Sequence, residues 1–302
     1  MSIEGRLDPA LRHLAAARID LSAQNLVPLR ESLDQRRRTS AAEVDLTGVS
    51  VSECVAGQVP VRIYRGGAGV TPAVLFCHSG AFVLGNLDTD HSWCVELARR
   101  SGAAVVSVDY RLAPEHPYPA GFDDAVTVLR WLAAEAAVLD IDQTRIAVAG
   151  SSAGGSLAAL LAQGSAAGDL PPVVFQLLHQ PVLDDRMTPS KEEFADTPGF
   201  DSVAVELMWR YYAGGEAPPV AAVPGRTEAL AGLAPALITC AELDPLRDEA
   251  VDYALRLWWA GVPAELHVYP GTCHGFDAFV PDCRLSRDLL VLQAGALRRA
   301  FG

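Results

Sequence analysis

One serine lies where a strand-like stretch meets a helix-like stretch across a group of small residues. The stretch is AVAGSSAGGSLAALL, residues 147–161, in which Gly150, Ser152 and Gly154 satisfy the pattern G-x-S-x-G. A serine exposed on a sharp strand-to-helix turn has strained backbone angles, and a side chain two residues away would collide with that turn. The following helix points its first amides at the same spot, where they can stabilise an oxyanion. The pattern therefore predicts that Ser152 is a nucleophile.

The neighbouring serine, Ser151, does not satisfy the same pattern. The residues two positions away from it are Ala149 and Ala153, which are not glycines. Its side chain is therefore expected to point elsewhere on the turn. The alternative interpretation of the whole stretch is a small-residue turn that only packs a helix onto a sheet.

A serine nucleophile needs a base, and the base needs an orienting carboxylate. His274 lies in PGTCHGF, directly after the last predicted strand. Loops at the carboxyl ends of parallel strands share one edge of the sheet, so His274 is expected to face Ser152. The loop after the preceding strand, CAELDPLRDEA, offers Glu242, Asp244 and Asp248. Asp244 is the predicted partner, since Glu242 is still close to the strand and Asp248 fits an ordinary helix cap.

An oxyanion hole needs amides from a second segment. The stretch CHSGAFVLG, residues 77–85, follows a predicted central strand, and its Gly80 and Ala81 can bring backbone N–H groups near the serine. The N–H group of Ala153 is the expected partner. The alternative is a simple glycine turn. We assign no proton transfer to His78, which is expected to hold this loop by hydrogen bonds.

The elements that must position these residues alternate between strand and helix from about residue 70 onward. Continuous apolar runs are typical of buried parallel strands, and the runs between them have helical spacing. This order predicts an α/β protein with a mostly parallel sheet that is covered on both faces. A hairpin with its turn near Gly57 precedes the sheet. The predicted strands are 72–78, 103–110, 145–150, 172–180, 235–243 and 264–271.

Two segments break this alternation and are interpreted together as a helical cap over one end of the sheet. The first is helical in pattern, with breaks expected at Pro9 and Pro28. The second is rich in proline, glycine and alanine around one aromatic helix. The predicted domains are N-terminal cap helices at 1–42, a catalytic core at 43–184 and 233–302, and a cap insertion at 185–232.

Composition excludes several classes of function. The chain has 302 residues, half of them hydrophobic, and a formal net charge of −13. Such a surface repels phosphate backbones, so no nucleic-acid partner is expected. No apolar run is long enough for a membrane anchor, and the N-terminus lacks the order of a signal peptide. The six cysteines are scattered without a C-x-x-C pair, which favours free thiols and a cytoplasmic location.

The assembled motifs resemble those of the bacterial hormone-sensitive-lipase family of α/β-hydrolases. The resemblance spans roughly residues 45 to 300, and it includes the order nucleophile, acid, base along the chain. The longest matching run is DYRLAPEHPYPA. The matching stretches are HSGA (78–81), DYRLAPEHPYPA (109–120), GSSAGG (150–155), DPLRD (244–248) and HGF (274–276).

The resemblance implies an α/β-hydrolase fold with a helical cap, and esterase chemistry on short or medium acyl chains. It carries over Ser152, Asp244 and His274 as the triad, with the oxyanion donors named above. It makes Glu115 a candidate to fix the oxyanion loop, and it implies a homodimer formed through an edge of the sheet. Two positions depart from the family pattern, and both are serines. Ser79 replaces the first glycine of the oxyanion motif, and Ser151 replaces the acidic residue that usually precedes the nucleophile.

The sequence therefore predicts a serine carboxylesterase that acts on a small-molecule acyl ester, with no metal or organic cofactor. Two alternatives stay open: an amidase or peptidase with the same triad, and a non-catalytic, receptor-like binder on the same fold. Aromatic and Met side chains are candidates to line the substrate cleft, with core packing as the alternative. These candidates are Phe82, Trp93, Met208, Trp209 and Tyr212.

Overall fold

A single eight-stranded sheet organises the chain in a computed structural model that describes residues 2–302. Its strand order is β1-β2-β4-β3-β5-β6-β7-β8. The β1–β2 and β2–β4 pairs are antiparallel, and every other neighbouring pair is parallel. The predicted α/β class is confirmed. The strands are β1 (Ser50–Ala56), β2 (Val59–Arg65), β3 (Thr71–Cys77), β4 (Ala104–Val108), β5 (Ile141–Ser151), β6 (Phe175–His179), β7 (Ala236–Leu243) and β8 (Ala264–Cys273).

Helices lie before the first strand, in each connection from β3 onward and after the last strand. Short 3-10 helices add single turns at Arg12–Leu14, Val220–Ala222 and Pro224–Arg226. The α-helices are α1 (Ile3–Arg6), α2 (Ala23–Ala42), α3 (His91–Ser101), α4 (Ala120–Ala134), α5 (Ala153–Ala166), α6 (Pro189–Glu193), α7 (Ser202–Tyr212), α8 (Arg247–Trp259), α9 (Phe276–Phe279) and α10 (Arg284–Phe301).

Both faces of the sheet are buried under helices. Successive side chains of a strand point to opposite faces, so β3 sends Leu75 into one apolar cluster and Phe76 into another. The cluster around Leu75 contains buried residues of α4, α5 and α8, whereas the cluster around Phe76 contains buried residues of α3 and α10. Burial on both faces explains why β3 reads as one continuous apolar run.

The hairpin before the sheet forms as predicted, with Gly57 in the left-handed region at φ 66° between β1 and β2. The predicted helix break at Pro28 is wrong, because α2 continues from Ala23 to Ala42 through this proline. Pro28 is the sixth residue of α2, so its ring removes one hydrogen bond close to the helix start without ending the helix. Pro9 lies between α1 and the first 3-10 helix, as expected.

None of the helices within residues 2–302 combines the length and the apolar character needed to cross a lipid bilayer. The segment 185–232 contains α6 and α7, and the segment before residue 43 contains α1 and α2. These two segments are the parts of the chain that the sequence assigns to a cap, and the division into cap and core stays a prediction.

Candidate active site

The turn between β5 and α5 has the strained geometry that the G-x-S-x-G pattern predicts. Ser152 has φ 54° and ψ −116°, a combination that costs energy for a residue with a side chain. A Cβ atom on Gly150 would lie 2.1 Å from the carbonyl oxygen of Gly154, and one on Gly154 would lie 2.0 Å from that of Cys77. Glycine is therefore required on both sides of the serine by direct backbone contact.

Ser152, His274 and Asp244 lie together in a line of hydrogen bonds. Ser152 Oγ is 2.9 Å from His274 Nε2, and His274 Nδ1 is 2.7 Å from Asp244 Oδ2. The other oxygen, Asp244 Oδ1, accepts a hydrogen bond from the Leu246 amide at 2.8 Å, which fixes the carboxylate. Ser152 is 4% exposed, His274 is 8% exposed and Asp244 is fully buried. Water therefore screens their interactions very little.

The two other carboxylates that the sequence offers in this loop have different partners. Glu242 Oε2 accepts a hydrogen bond from the Gly271 amide at 2.8 Å. Asp248 Oδ2 accepts one from the Ser190 amide at 2.8 Å. Of these three acidic residues, Asp244 is therefore the one that contacts His274.

Gln180 supports the loop that carries His274, and sequence reasoning did not identify it. Its Oε1 accepts a hydrogen bond of 2.6 Å from the amide of Gly275, the residue after the histidine. Its own amide donates to the carbonyl oxygen of Thr239 at 2.6 Å, and its backbone has φ 44°. The available signal was its position, because it directly follows β6 at the same edge of the sheet as Ser152.

A second buried pair lies beside this support. His179 Nε2 is 3.1 Å from Asp277 Oδ1, and His179 Nδ1 is 2.8 Å from Thr239 Oγ1. His179 lowers the pKa of the buried Asp277 carboxyl, against the effect of burial. The histidine is thus held at both ring nitrogens, and it joins the loop after β8 to β6 and β7.

The segment after β3 brings free amides to the serine side of the sheet. Gly80 has φ 135°, and the next two residues, Ala81 and Phe82, have φ 53° and 59°. Within residues 2–302, the N–H groups of Gly80 and Ala81 donate no backbone hydrogen bond, while the Gly80 carbonyl accepts from Leu84 at 2.8 Å. Ala153 is the first residue of α5, where an N–H group has no partner inside the helix.

His78 lies behind this loop and does not take part in the line of hydrogen bonds around Ser152. Its Nδ1 is 2.8 Å from the Ser79 carbonyl oxygen, and its ring stacks on Tyr110 with 4.1 Å between centroids. The Tyr110 hydroxyl donates to the His78 carbonyl at 2.8 Å. Burial lowers the pKa of His78 to about 4, so the ring is neutral at pH 7.

The oxyanion segment is tied to α2 through Arg30, a residue that sequence reasoning missed. Arg30 Nε donates to the Val83 carbonyl and Nη2 to the Ala113 carbonyl, both at 2.6 Å. Glu115 binds the same guanidinium at 2.7 Å. Glu115, predicted to fix the oxyanion loop, therefore reaches that loop through Arg30.

Ser152 and His274 open onto a cleft of about 430 Å³. Gly80, Ala81 and Trp93 also line it, and one face of α2 forms part of its wall. The α2 residues in that wall recur at intervals of three and four, as the face of a helix requires. They are Leu33, Arg36, Arg37, Ser40, Ala41 and Val44.

Four of the five residues predicted to line the substrate cleft lie in the core instead. Phe82 stacks on Tyr212 with 3.8 Å between ring centroids, and Trp209 lies 6.1 Å from Phe82. These three and Met208 are at most 5% exposed, and the cleft lining does not include them. They pack α7 against the back of the oxyanion segment. Trp93 alone of the five lines the cleft.

Cys273, next to His274, is fully buried. Burial raises the pKa of its thiol to about 12, so the group stays protonated and unreactive at neutral pH. Within residues 2–302, histidine, cysteine, aspartate and glutamate form no cluster of three that could hold a metal ion.

Comparison with known proteins places this chain in a family. Residues 74–278 match the family described as the alpha/beta hydrolase fold. Esterase LipI of Mycobacterium tuberculosis is 46% identical over 232 residues, which cover 74% of this chain and 72% of LipI. Ethyl acetate hydrolase of Pseudomonas putida is 38% identical over 229 residues, covering 72% and 71% of the two chains.

A solved structure agrees with these sequence matches. The crystal structure of esterase LipW from Mycobacterium marinum superposes with a TM-score of 0.96 at 56% identity. The superposition covers 99% of this chain and 97% of LipW. The chain therefore belongs to the hormone-sensitive-lipase-like group of the alpha/beta hydrolase family, as its motifs predict.

Proposed function

We propose that Ser152, His274 and Asp244 form a catalytic triad that hydrolyses carboxylic esters through an acyl-enzyme. One observation carries the proposal. Two hydrogen bonds, of 2.9 Å and 2.7 Å, join the serine hydroxyl to the imidazole and the imidazole to the carboxylate. These distances fall within the range required for proton transfer between a nucleophile and its base.

The type of reaction follows from the family relationship. The similar proteins include esterases that match this chain over two thirds or more of its length. This chain is accordingly a carboxylic ester hydrolase. The roles of individual residues and the length of the acyl chain are the proposed part.

In the proposed mechanism, Ser152 Oγ attacks the acyl carbon of the ester while His274 Nε2 takes the hydroxyl proton. Asp244 stays ionised and accepts a hydrogen bond from the Nδ1–H group of His274, which keeps the correct tautomer and stabilises the imidazolium that forms. The same imidazolium then gives its proton to the leaving alcohol. Water then attacks the acyl-enzyme while His274 takes a proton from it. His274 returns that proton to Ser152 Oγ, and the free acid departs.

Negative charge develops on the carbonyl oxygen at both steps. The backbone N–H groups of Gly80, Ala81 and Ala153 are proposed to stabilise that charge. Two features support this assignment: the first two amides make no backbone hydrogen bond within residues 2–302, and the third begins a helix. Donors that are held in place before the reaction stabilise the transition state without a cost for reorganising them.

We further propose short to medium acyl chains as substrates. The cleft of about 430 Å³ lies in the lower part of the range for small-ligand sites. Phe82, Trp209 and Tyr212 pack against one another and do not line the cleft, so they add no aromatic wall for a longer acyl chain. Hydrolysis of 4-nitrophenyl esters from acetate to dodecanoate measures the range, and a maximum at dodecanoate would contradict this proposal.

The triad is tested by Ser152→Ala, with Ser151→Ala as the matched control. The two serines are adjacent, yet Ser151 ends β5 and only Ser152 has the strained turn geometry. Ser152→Ala is expected to reduce kcat for 4-nitrophenyl butyrate by about 10⁵- to 10⁶-fold, whereas Ser151→Ala costs far less. A Ser152→Ala enzyme with more than a hundredth of the original kcat would reject the nucleophile.

Two further measurements separate the remaining alternatives. Covalent labelling by a fluorophosphonate requires an activated serine, so a receptor-like binder would not react. Comparing 4-nitrophenyl butyrate with butyryl 4-nitroanilide separates an esterase from an amidase. We expect labelling at Ser152 and turnover of the ester, with the anilide at least a hundredfold slower.

A further inference from the structure

The wall of the cleft opposite the sheet has a positive charge that the reaction does not use. Arg36 and Arg37 lie on the α2 face that lines the cleft, in a chain whose formal net charge is −13. Arg36 is exposed, whereas the Arg37 side chain is only 18% exposed. An arginine stays protonated even when it is buried, so Arg37 brings a permanent cation into this space.

Arg37 is not fully paired inside the protein. Its Nη1 is shielded from solvent and makes no hydrogen bond within residues 2–302. Asp34 Oδ1 lies 3.6 Å from this nitrogen, beyond hydrogen-bond distance, and already accepts a hydrogen bond from Asn86 at 3.0 Å. Burial lowers the pKa of the Arg37 guanidinium although Asp90 and Asp34 act in the opposite direction. A buried cation in this state is stabilised by any anion that can reach it.

Gln180 leaves a second donor unpaired in the same lining. Its Oε1 is identified by the hydrogen bond that it accepts from Gly275, so the other terminal atom is the NH₂ group. That nitrogen is buried and has no hydrogen-bond partner among residues 2–302. In the described cleft lining, both buried side-chain atoms that lack a hydrogen bond are therefore N–H donors.

The carboxylates in the lining already have partners. Asp88 pairs with Arg62 at 2.8 Å, and Asp277 lies 3.1 Å from His179 Nε2. Asp90 accepts a hydrogen bond from the Ser79 amide at 2.8 Å, and burial raises the pKa of its carboxyl. The buried polar groups of the cleft that still lack a partner among residues 2–302 are therefore the N–H donors of Arg37 and Gln180. A ligand with hydrogen-bond acceptors would pair with them.

We propose that the natural ester carries a carboxylate, on its acyl or its alcohol part, and that Arg37 binds this group. The guanidinium is planar and presents paired donors that match the two oxygens of a carboxylate. The inference rests on the proposed function, since it assigns the substrate class of the cleft that contains Ser152.

The test compares two pairs of esters in which a carboxylate is replaced by its neutral amide. The acyl-side pair is mono-4-nitrophenyl adipate and 4-nitrophenyl 5-carbamoylpentanoate. The alcohol-side pair is 4-acetoxybenzoate and 4-acetoxybenzamide. The measured quantity is the ratio of kcat/KM for the charged ester to kcat/KM for the neutral ester, so a general loss of activity cancels.

In Arg37→Gln, the ratio is expected to fall by about 10- to 100-fold for at least one pair, the range for a hydrogen bond to a charged group. Arg37→Lys should keep part of the ratio. Arg38→Gln is the matched control, because Arg38 has the same charge and lies on the same helix but outside the cleft lining. Its ratio should stay within twofold of the unchanged enzyme.

Two results would overturn the inference: an unchanged ratio for both pairs in Arg37→Gln, or an equal fall in Arg38→Gln. Failure of the unchanged enzyme to hydrolyse any of the four esters would instead contradict the proposed function. If Arg37→Gln does not fold, inhibition of the unchanged enzyme by N-phenyladipamic acid and by its neutral carboxamide decides. Stronger inhibition by the acid that weakens with added salt supports the inference, and equal inhibition rejects it.

Discussion

The cleft has a sheet side and a helix side, and different contacts hold each of them. On the sheet side, Ser152, His274 and Asp244 are almost completely buried and are joined by short hydrogen bonds. On the helix side, the 20-residue α2 has one buried residue, Leu26. Leu26 packs in the main apolar cluster with Leu29 and Leu33 partly buried against it, and the hydrogen bonds of Arg30 add polar contacts to the sheet side.

This difference indicates that the two sides of the cleft have different roles. Groups that must keep their geometry to a fraction of an ångström lie on strand ends inside a packed core. Groups that contact the outer part of a substrate lie on an element with little apolar burial, which can open at a lower free-energy cost. Substitutions on the two sides should therefore differ in size and in kind, and the following four changes test this.

The largest effect is expected from Asp244→Asn on the sheet side. Asparagine keeps the shape of the side chain but can present an N–H group to His274 Nδ1, which favours the wrong tautomer for accepting the serine proton. We expect kcat to fall by about 10⁴-fold with unchanged far-ultraviolet circular dichroism. Asp248→Asn is the control, because Asp248 contacts Ser190 rather than His274. A loss below tenfold in Asp244→Asn would place the orienting group elsewhere.

Gly80→Ala tests the second sheet-side feature. An added Cβ would lie 2.0 Å from the Leu84 carbonyl oxygen at a φ of 135°, so the loop must shift. Displacing one oxyanion donor should lower kcat by about 10²- to 10³-fold and also lower Tm. Gly69→Ala is the control, since Gly69 has φ 78° but no atom within 4 Å of the added carbon. Equal kcat losses in both variants would show that backbone strain alone is responsible.

Arg30→Gln tests the connection between the two sides. It removes a guanidinium that binds the Val83 and Ala113 carbonyls and Glu115. The oxyanion loop should lose part of its order, and kcat should fall by about tenfold, as for one or two lost hydrogen bonds. A purely structural role would lower Tm and leave kcat and KM unchanged. Arg38→Gln, on the same helix, serves as the control.

The smallest effect is expected from Tyr212→Phe. The Tyr212 hydroxyl is buried and has no hydrogen-bond partner within residues 2–302, so its removal relieves a desolvation cost. Tm should stay the same or rise, and kcat/KM for 4-nitrophenyl butyrate should change by less than about twofold. A several-fold rise in KM would instead indicate that the Tyr212 ring contacts the substrate.

The sheet side could be predicted from the sequence because its signals are local. Gly150, Ser152 and Gly154 lie within five consecutive residues, and backbone contacts require a glycine at the first and the last of these positions. The loop with Asp244 and the loop with His274 each directly follow a strand, and parallel strands bring such loops to one edge. Three separate segments of the sequence therefore predict one common site.

The helix side could not be predicted in the same way. Arg30 attaches α2 to the oxyanion segment and Arg37 lines the cleft. Nothing in their spacing along the chain distinguishes them from arginines on an ordinary exposed face of a polar helix. The sequence leaves cleft lining and core packing both open for Met208 and Trp209, and their place in the core depends on how α7 docks. Docking arises from long-range packing, which one sequence does not encode by local pattern. The homodimer and the cytoplasmic location likewise stay predictions.

The thiol of Cys273 can be used to measure how often the structure around the proposed base opens. The thiol is shut inside the core one residue before the proposed base, and it is protonated at neutral pH. An alkylating reagent can reach it only when the structure around it opens. The speed of alkylation at Cys273 would then count these openings, and occupation of the cleft by an inhibitor should make them rarer.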